Sequence, residues 1–232
     1  MSDGEDLFDQ YAAAYEQALS NALAPSGENR QYFATGRVAW LKRCLDELHY
    51  RPDAVLDFGC GDGSTTPLLV NSFGAQSAIG VDVSAKSLEI ARKFRSNERI
   101  HFEAIGEFQS PETFDLAYCN GVFHHIQPAQ RATAFAMVRR ALCAGGFFSL
   151  WENSPWSPAT RYVMSRCEFD RDAILLSPPL ARGLLKSAGF EIIRTDFRFI
   201  FPRALKALRR LEDWACRVPL GTQYQILCRK SP

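Results

Sequence analysis

Residues 55–63 read VLDFGCGDG, an apolar run that ends in three alternate glycines. The run predicts a buried strand, and the glycines let the turn after it approach a ligand closely, because no Cβ intervenes. An acidic residue, Asp82, ends the next β-branched run. At that distance from the glycine turn, a carboxylate can accept hydrogen bonds from both hydroxyls of a ribose. The glycine turn and Asp82 together indicate a nucleoside ligand.

The glycine turn differs from the dinucleotide-binding fingerprint, whose third glycine packs a helix tightly beside a pyrophosphate. Ser64 stands at that third position, and Asp57 precedes the turn. A carboxylate there suits a ligand that carries an ammonium and a sulfonium, and it would repel a diphosphate. The pattern therefore disfavours the rival interpretation, a nicotinamide-dependent oxidoreductase on a similar sheet.

Short apolar runs alternate with segments of helical spacing on both sides of this turn, and such alternation is typical of βαβ units around a parallel sheet. We expect one domain over residues 1–232, with a helical cap in 1–50, a cofactor-binding core in 51–152 and an acceptor-side insertion with the last strands in 153–232. Strands are predicted at 54–58, 77–82, 101–105, 114–119, 147–152, 190–201 and 224–230. Helices are predicted near 5–20, 34–49, 64–73, from Ser84, near 128–142, at 179–188 and at 203–218.

The composition narrows the function classes. The 232 residues are 47% hydrophobic and carry a net charge of +1, which argues against disorder and against a nucleic-acid partner held mainly by charge. No apolar run is long enough to span a bilayer, and the first residues are acidic and polar, so we expect a cytoplasmic protein. The seven cysteines form no CxxC pair, so no disulfide framework and no metal site is predicted.

Four segments together resemble the class I S-adenosylmethionine-dependent methyltransferases, in particular the small-molecule group that includes quinone-biosynthesis enzymes. The resemblance covers roughly residues 35–230. It implies a Rossmann-like, seven-stranded, mostly parallel sheet with the last strand inserted antiparallel, helices on both faces, an N-terminal helical cap and S-adenosylmethionine as cofactor. The segments are VLDFGCGDG (55–63), GVDVS (80–84), FDLAYCNGVFHHI (114–126) and AGGFFSLWE (144–152).

The resemblance also implies a role for individual residues. Asp57 and the glycine turn would hold the methionine end, Asp82 the ribose, and Val83 would lie beside the adenine. The Gly-Asp pair usual in the family reads Gly106-Glu107 here, so Glu107 takes the place of the adenine contact. The full set of expected cofactor-binding residues is Asp57, Gly59, Gly61, Asp82, Val83, Glu107, Asn120, Tyr15 and Arg37.

Three residues are candidates for catalysis at the carboxyl edge of the sheet, where open α/β folds bind ligands. His124 and His125 follow the fourth strand, and Glu152 ends the fifth. An oxygen acceptor that must lose a proton needs a base, and histidine is suited to that task at neutral pH. The alternative is that these are hydrogen-bonded structural residues.

The sequence predicts the acceptor less specifically than it predicts the cofactor. We predict a small-molecule acceptor methylated on a hydroxyl oxygen, with carbon or nitrogen methylation and a non-catalytic cofactor-binding scaffold as alternatives. The net charge is −5 over residues 1–150 and +6 over residues 151–232, so we expect an anionic acceptor. An aromatic or lipid-linked acceptor is also expected. The basic 203–218 segment is predicted to be an amphipathic helix, which either packs on the sheet or contacts an anionic membrane surface.

Overall fold

Seven strands form one sheet in the order β3-β2-β1-β4-β5-β7-β6. The computed structural model describes residues 23–166 and 173–231, so the helix predicted near 5–20 lies outside the described residues. The strands are β1 Ala54–Phe58, β2 Ser77–Asp82, β3 Ile100–Ala104, β4 Phe114–Asn120, β5 Leu142–Asn153, β6 Phe190–Arg198 and β7 Gln223–Lys230. β1 to β5 pair in parallel, and β7 is inserted antiparallel between β5 and β6. The predicted Rossmann-like α/β fold is confirmed.

Helices follow most of the strands and begin at recognisable caps. The Asn29 side chain accepts a hydrogen bond from the Tyr32 N–H at the start of α1, and Ser84 caps α3 by accepting from the Ser87 N–H, as predicted. The helices are α1 Arg30–Glu47, α2 Thr66–Phe73, α3 Ala85–Arg95, α4 Pro128–Ala141, α5 Pro158–Arg166, α6 Pro178–Ser187 and α7 Glu212–Ala215, with 3₁₀ helices at Ala24–Ser26 and Arg203–Leu211.

The two faces of the sheet bury separate hydrophobic clusters. Successive side chains of a strand point to opposite faces, so Val55 belongs to the cluster beneath α1, while Leu56 belongs to the cluster beneath α4. The same alternation places Asp57 on the α1 face and Glu152 on the α4 face. Because both faces are covered, a ligand reaches the strands at their carboxyl edge.

The 203–218 segment departs from the predicted α-helix. It forms a 3₁₀ helix over Arg203–Leu211, with non-helical backbone at Leu205, and then the short α7. A 3₁₀ helix has three residues per turn, so Leu208 and Leu211 lie above one another after the kink at Leu205, and the stripe expected at α-helical spacing is not formed. Among the residues that the structure describes, no helix is both long and apolar enough to cross a membrane.

Candidate functional site

The turn after β1 is left-handed at all three glycines, with φ of 76° at Gly59, 56° at Gly61 and 71° at Gly63. L side chains rarely adopt this conformation, which explains the choice of glycine. A Cβ on Gly59 would lie 2.2 Å from the Val122 Cγ2, whereas a Cβ on Gly61 would meet nothing within 4 Å. Gly59 therefore lets two turns touch, and Gly61 exposes its backbone to an open space that a ligand can enter.

Asp82 stands opposite this open backbone. Its Oδ2 accepts a hydrogen bond from the Gly61 N–H at 2.7 Å, and its Oδ1 accepts one from the Ser84 N–H at 2.9 Å. Burial raises the pKa of Asp82, and these backbone N–H groups oppose the rise. Each carboxylate oxygen keeps a second lone pair that can accept from a ribose hydroxyl. Val83 follows with 41% of its surface exposed, which leaves an apolar side chain for a purine to contact.

Asp57 is a buried carboxylate on the α1 face of the sheet. The Thr66 hydroxyl donates a hydrogen bond to its Oδ2 at 2.7 Å. Burial raises the pKa of Asp57 to about 7, and the charge of Asp82 adds to the rise, while the Thr66 hydrogen bond and the Arg37 guanidinium oppose it. A carboxylate that is this costly to ionise gains most from a cationic ligand, such as an ammonium.

Arg37 reaches the same region from α1. Its Nε donates to the Tyr118 hydroxyl at 3.1 Å, and its Nη1 donates to the Gln223 Oε1 at 3.0 Å. The buried guanidinium thus joins α1 to β4 and β7, beside Asp57. An arginine there can meet the carboxylate of an amino-acid ligand, while Asp57 meets its ammonium. Tyr15, the other expected residue of the cap, lies outside the described residues.

The glycine turn is closed by an ion pair that the sequence analysis did not identify. The Arg30 Nη2 lies 2.8 Å from the Asp62 Oδ1. Burial acts against ionisation of Asp62, yet the Arg30 guanidinium and the Ser64 N–H lower its pKa below the usual value. The acid of the GDG sequence, Asp62, was the only signal for this contact, which fixes the turn to the start of α1.

His124 and Glu152 form a buried pair on the α4 face of the sheet. The His124 Nδ1 lies 2.5 Å from the Glu152 Oε2, and the Phe123 N–H donates to the Glu152 Oε1 at 2.8 Å. The parallel pairing of β4 with β5 sets Asn120 opposite Trp151, which brings Glu152, near the end of β5, close to the turn after β4 that carries His124. Two of the three predicted catalytic residues are therefore in contact: one carboxylate oxygen of Glu152 meets the His124 imidazole, and the other accepts from the Phe123 backbone.

Arg131 of α4 holds the backbone around this pair in place. Its Nε donates to the Ile126 carbonyl at 2.9 Å, and its Nη2 donates to the Ile174 carbonyl at 2.6 Å. The Ile174 N–H in turn donates to the His124 carbonyl at 2.8 Å. The buried guanidinium feels the negative charge of Glu152, so it offsets part of the cost of burying that carboxylate.

The remaining predicted residues are spread around the same edge. The His125 ring centroid lies 4.1 Å from that of His124, in a half-buried position. Asn120 ends β4 half-buried, and Glu107 is exposed in the turn after β3, where its N–H donates to the Ala104 carbonyl. Glu107 lies at the outer strand of the sheet, away from Asp57, as an adenine contact would require. The described residues contain no group of three metal-ligating side chains.

These observations fit an S-adenosylmethionine-like ligand. The open space at Gly61, the exposed Val83 and the half-buried Asp82 accommodate the nucleoside. Asp57 and Arg37 offer opposite charges to the amino-acid end. The His124–Glu152 pair, on the other face of the sheet, can exchange a proton with an acceptor.

Comparison with known proteins agrees with this geometry. A model of the methyltransferase domain matches residues 55–146. The chain is 30% identical over 179 residues to trans-aconitate 2-methyltransferase of Acidovorax sp. (strain JS42), covering 71% of this chain and 69% of that protein. It is 37% identical over 95 residues to trans-aconitate 2-methyltransferase of Rhizobium etli, covering 41% of this chain and 36% of that protein. In other curated relatives, the matched segment is shorter and covers about a third of the relative's length.

A solved structure extends the similarity of fold along nearly the whole chain. The 1,6-didemethyltoxoflavin-N1-methyltransferase of Burkholderia thailandensis, with S-adenosylhomocysteine bound, has a TM-score of 0.57 and 20% identity, covering 96% of this chain and 90% of that chain. The narrower resemblance to quinone-biosynthesis enzymes stays a prediction. The glycine turn, its two acids, the strand order and these relatives lead to one family: the chain belongs to the class I S-adenosylmethionine-dependent methyltransferases.

Proposed function

We propose that this chain transfers a methyl group from S-adenosylmethionine to an oxygen atom of a small, anionic acceptor. The observation that carries the choice of oxygen is the buried His124–Glu152 pair. A hydroxyl acceptor must lose a proton as it is methylated, and a histidine fixed by a carboxylate is a suitable base. When bound, the cofactor supplies an activated methyl whose carbon–sulfur bond breaks with both electrons kept by sulfur.

The role of Glu152 follows from its hydrogen bonds. Because its Oε2 accepts from the His124 Nδ1, the imidazole is held in the tautomer that leaves a lone pair on Nε2. His124 then takes the acceptor proton on Nε2, and Glu152 stabilises the imidazolium that forms. Glu152 acts through His124, so it is a positioning residue.

Three features support an anionic acceptor and the location of the reaction. The acceptor-side residues 151–232 carry the excess of positive charge. The relatives named above are trans-aconitate methyltransferases, and trans-aconitate is a tricarboxylic acid. All described cysteines are free thiols, which supports the cytoplasmic location expected from the sequence.

The proposal is tested by incubating the chain with S-adenosylmethionine and a panel of carboxylic acids, phenols and amines, and scoring products that gain one methyl by mass spectrometry. We expect a phenol or a hydroxy acid whose hydroxyl oxygen has gained the methyl group. His124→Asn should lower kcat about 10²-fold or more with little change in the affinity for S-adenosylhomocysteine, because a general base contributes 10²–10⁴-fold.

His125→Asn is the matched control, since the His125 ring adjoins that of His124. A product methylated only on nitrogen or carbon would contradict the oxygen assignment, and an unchanged kcat in His124→Asn would remove His124 as the base. Tight binding of S-adenosylhomocysteine without any methylated product would favour the non-catalytic scaffold instead.

A further inference from the structure

The 3₁₀ helix Arg203–Leu211 presents a row of leucines to the outside of the molecule. None of its nine residues is buried. Leu208 and Leu211 are three residues apart and lie above one another in the 3₁₀ helix, and Leu205 precedes them at a kink in the backbone; we call these three leucines the apolar row. Their side chains are 47%, 40% and 53% exposed, and Trp214, three residues further on, is 89% exposed. An aligned apolar row with this exposure is unusual on a protein that meets only water.

Basic side chains flank the row. The exposed cations of the segment are Arg203, Lys206, Arg210 and Arg217, of which Arg217 pairs with the buried Asp196 at 3.3 Å. The two acids of the segment are engaged elsewhere: Glu212 is buried and accepts the N–H groups of Phe199, Ile200 and Phe201, and Asp213 pairs with two arginines. The charge presented beside the apolar row is therefore positive.

This surface adjoins the cofactor edge of the sheet. β6 and β5 both pair antiparallel with β7, so β6 runs in the same direction as β5, and its end at Arg198 lies at the carboxyl edge. Phe199 then packs against Trp151 and Phe33, with ring centroids 6.2 Å and 5.0 Å apart. The segment 203–220, which we call the docking surface, starts directly after these contacts.

We propose that the docking surface binds an anionic lipid bilayer. Leucine and tryptophan side chains can enter the boundary between headgroups and acyl chains, while arginine and lysine remain with the lipid phosphates. Positive charge and the apolar row occur together on one exposed segment, and an anionic bilayer is a partner that can contact both. The docking does not depend on catalysis. Its consequence for the acceptor rests on the proposed function: a membrane-borne acidic acceptor would meet the site without leaving the bilayer surface.

The test is sedimentation of the full chain with vesicles of phosphatidylcholine, with and without phosphatidylglycerol. We expect binding to the anionic vesicles and little to the neutral ones. Binding should shift the fluorescence of Trp214 to shorter wavelength, and Trp214→Phe should remove most of that shift, because Trp214 is the most exposed of the large hydrophobic side chains described.

Two double variants separate charge from apolar contact. Lys206→Glu with Arg210→Glu should weaken binding about twentyfold or more, since each basic residue near an anionic surface contributes about fivefold. Leu208→Ser with Leu211→Ser should weaken binding to anionic vesicles at unchanged charge. The matched control is Lys93→Glu with Phe94→Ser on α3, where another cation lies beside an aromatic ring with 63% exposure, and it should change binding less than twofold.

Several results would overturn the proposal. They are equal binding to neutral vesicles, no binding to either kind, or the same loss in the α3 control as in the docking-surface variants. A chain that instead dimerises in the ultracentrifuge, and becomes monomeric in Leu208→Ser with Leu211→Ser, would make this surface an interface between copies. Loss of vesicle binding with intact methylation of a soluble acceptor refutes docking alone, whereas vesicle binding without any methylation refutes the proposed function alone.

Discussion

Asp57 and Glu152 are both buried carboxylates near the carboxyl edge of one sheet, but on opposite faces of it, and their surroundings differ. Asp57 accepts a hydrogen bond from the Thr66 hydroxyl, and burial raises its pKa to about 7. Glu152 uses both oxygens, one on the Phe123 N–H and one on His124.

This difference in surroundings indicates a different role for each carboxylate. Asp57 is costly to ionise until a cation arrives, so its charge serves ligand binding. Both oxygens of Glu152 already accept hydrogen bonds within the protein. Glu152 can therefore orient His124, but it is less able to bind a ligand. Three variants or measurements test this contrast.

The largest effect is expected for Glu152→Gln. A glutamine can still accept from the Phe123 N–H, but its NH₂ group would face the His124 Nδ1 and favour the tautomer with the proton on Nε2. We expect kcat to fall about 10²-fold or more, because the base is then in the wrong tautomer. Calorimetry should show nearly unchanged affinity for S-adenosylhomocysteine. A large loss of that affinity would mean that Glu152 binds the cofactor, as Asp57 does.

Asp57→Asn should have the opposite profile. Loss of a buried charge that faces a ligand cation should weaken S-adenosylhomocysteine about thirtyfold or more. The same variant should be more stable than the wild type without ligand at pH 8. The folded pKa is raised from 3.8 to about 7, so the stability associated with the protonated form is lost as the pH rises through about 7.

Thermal unfolding checks this second part, where we expect a gain of roughly 1–3 kcal/mol at pH 8 and a smaller gain at pH 5, because the stability is lost progressively between pH 3.8 and about pH 7. Thr66→Val is the matched control, since it removes the hydrogen bond and keeps the carboxylate. Equal stability of Asp57→Asn and the wild type at both pH values would contradict the raised pKa.

The smallest effect is the pH dependence of cofactor affinity in the wild type. Ionisation of Asp57 through about pH 7 should strengthen S-adenosylhomocysteine binding about tenfold between pH 6 and pH 8. The affinity of Asp57→Asn should stay flat over that range. An affinity that falls with rising pH would show that another group controls binding.

Much of the cofactor side was predictable from the sequence because its determinants are local. Alternate glycines with a preceding acid specify a left-handed turn after a strand, and the structure has that turn. The strand and helix periodicities likewise gave the order of the elements. Asp82 and Val83 lie together beside the open backbone of Gly61, although their contacts with a ligand stay predictions.

Contacts between distant segments were less predictable. The sequence placed His124 and Glu152 at one edge, but their direct contact depends on the register of β4 and β5. Tyr118 and Gln223, which hold Arg37, carried no motif of their own. The 3₁₀ winding of Arg203–Leu211 was missed because leucines three apart fit the pattern of an α-helix nearly as well.

The close approach of Gly59 to Val122 has a consequence for protein engineering. The missing Cβ lets the cofactor turn and the turn that carries the histidines share one packed contact. Grafting residues 121–125 from another enzyme to change acceptor choice would therefore disturb cofactor binding whenever the new residue at 122 is bulkier than valine. Libraries that vary acceptor specificity should hold position 122 fixed and diversify the insertion after β5, where new side chains would leave this contact intact.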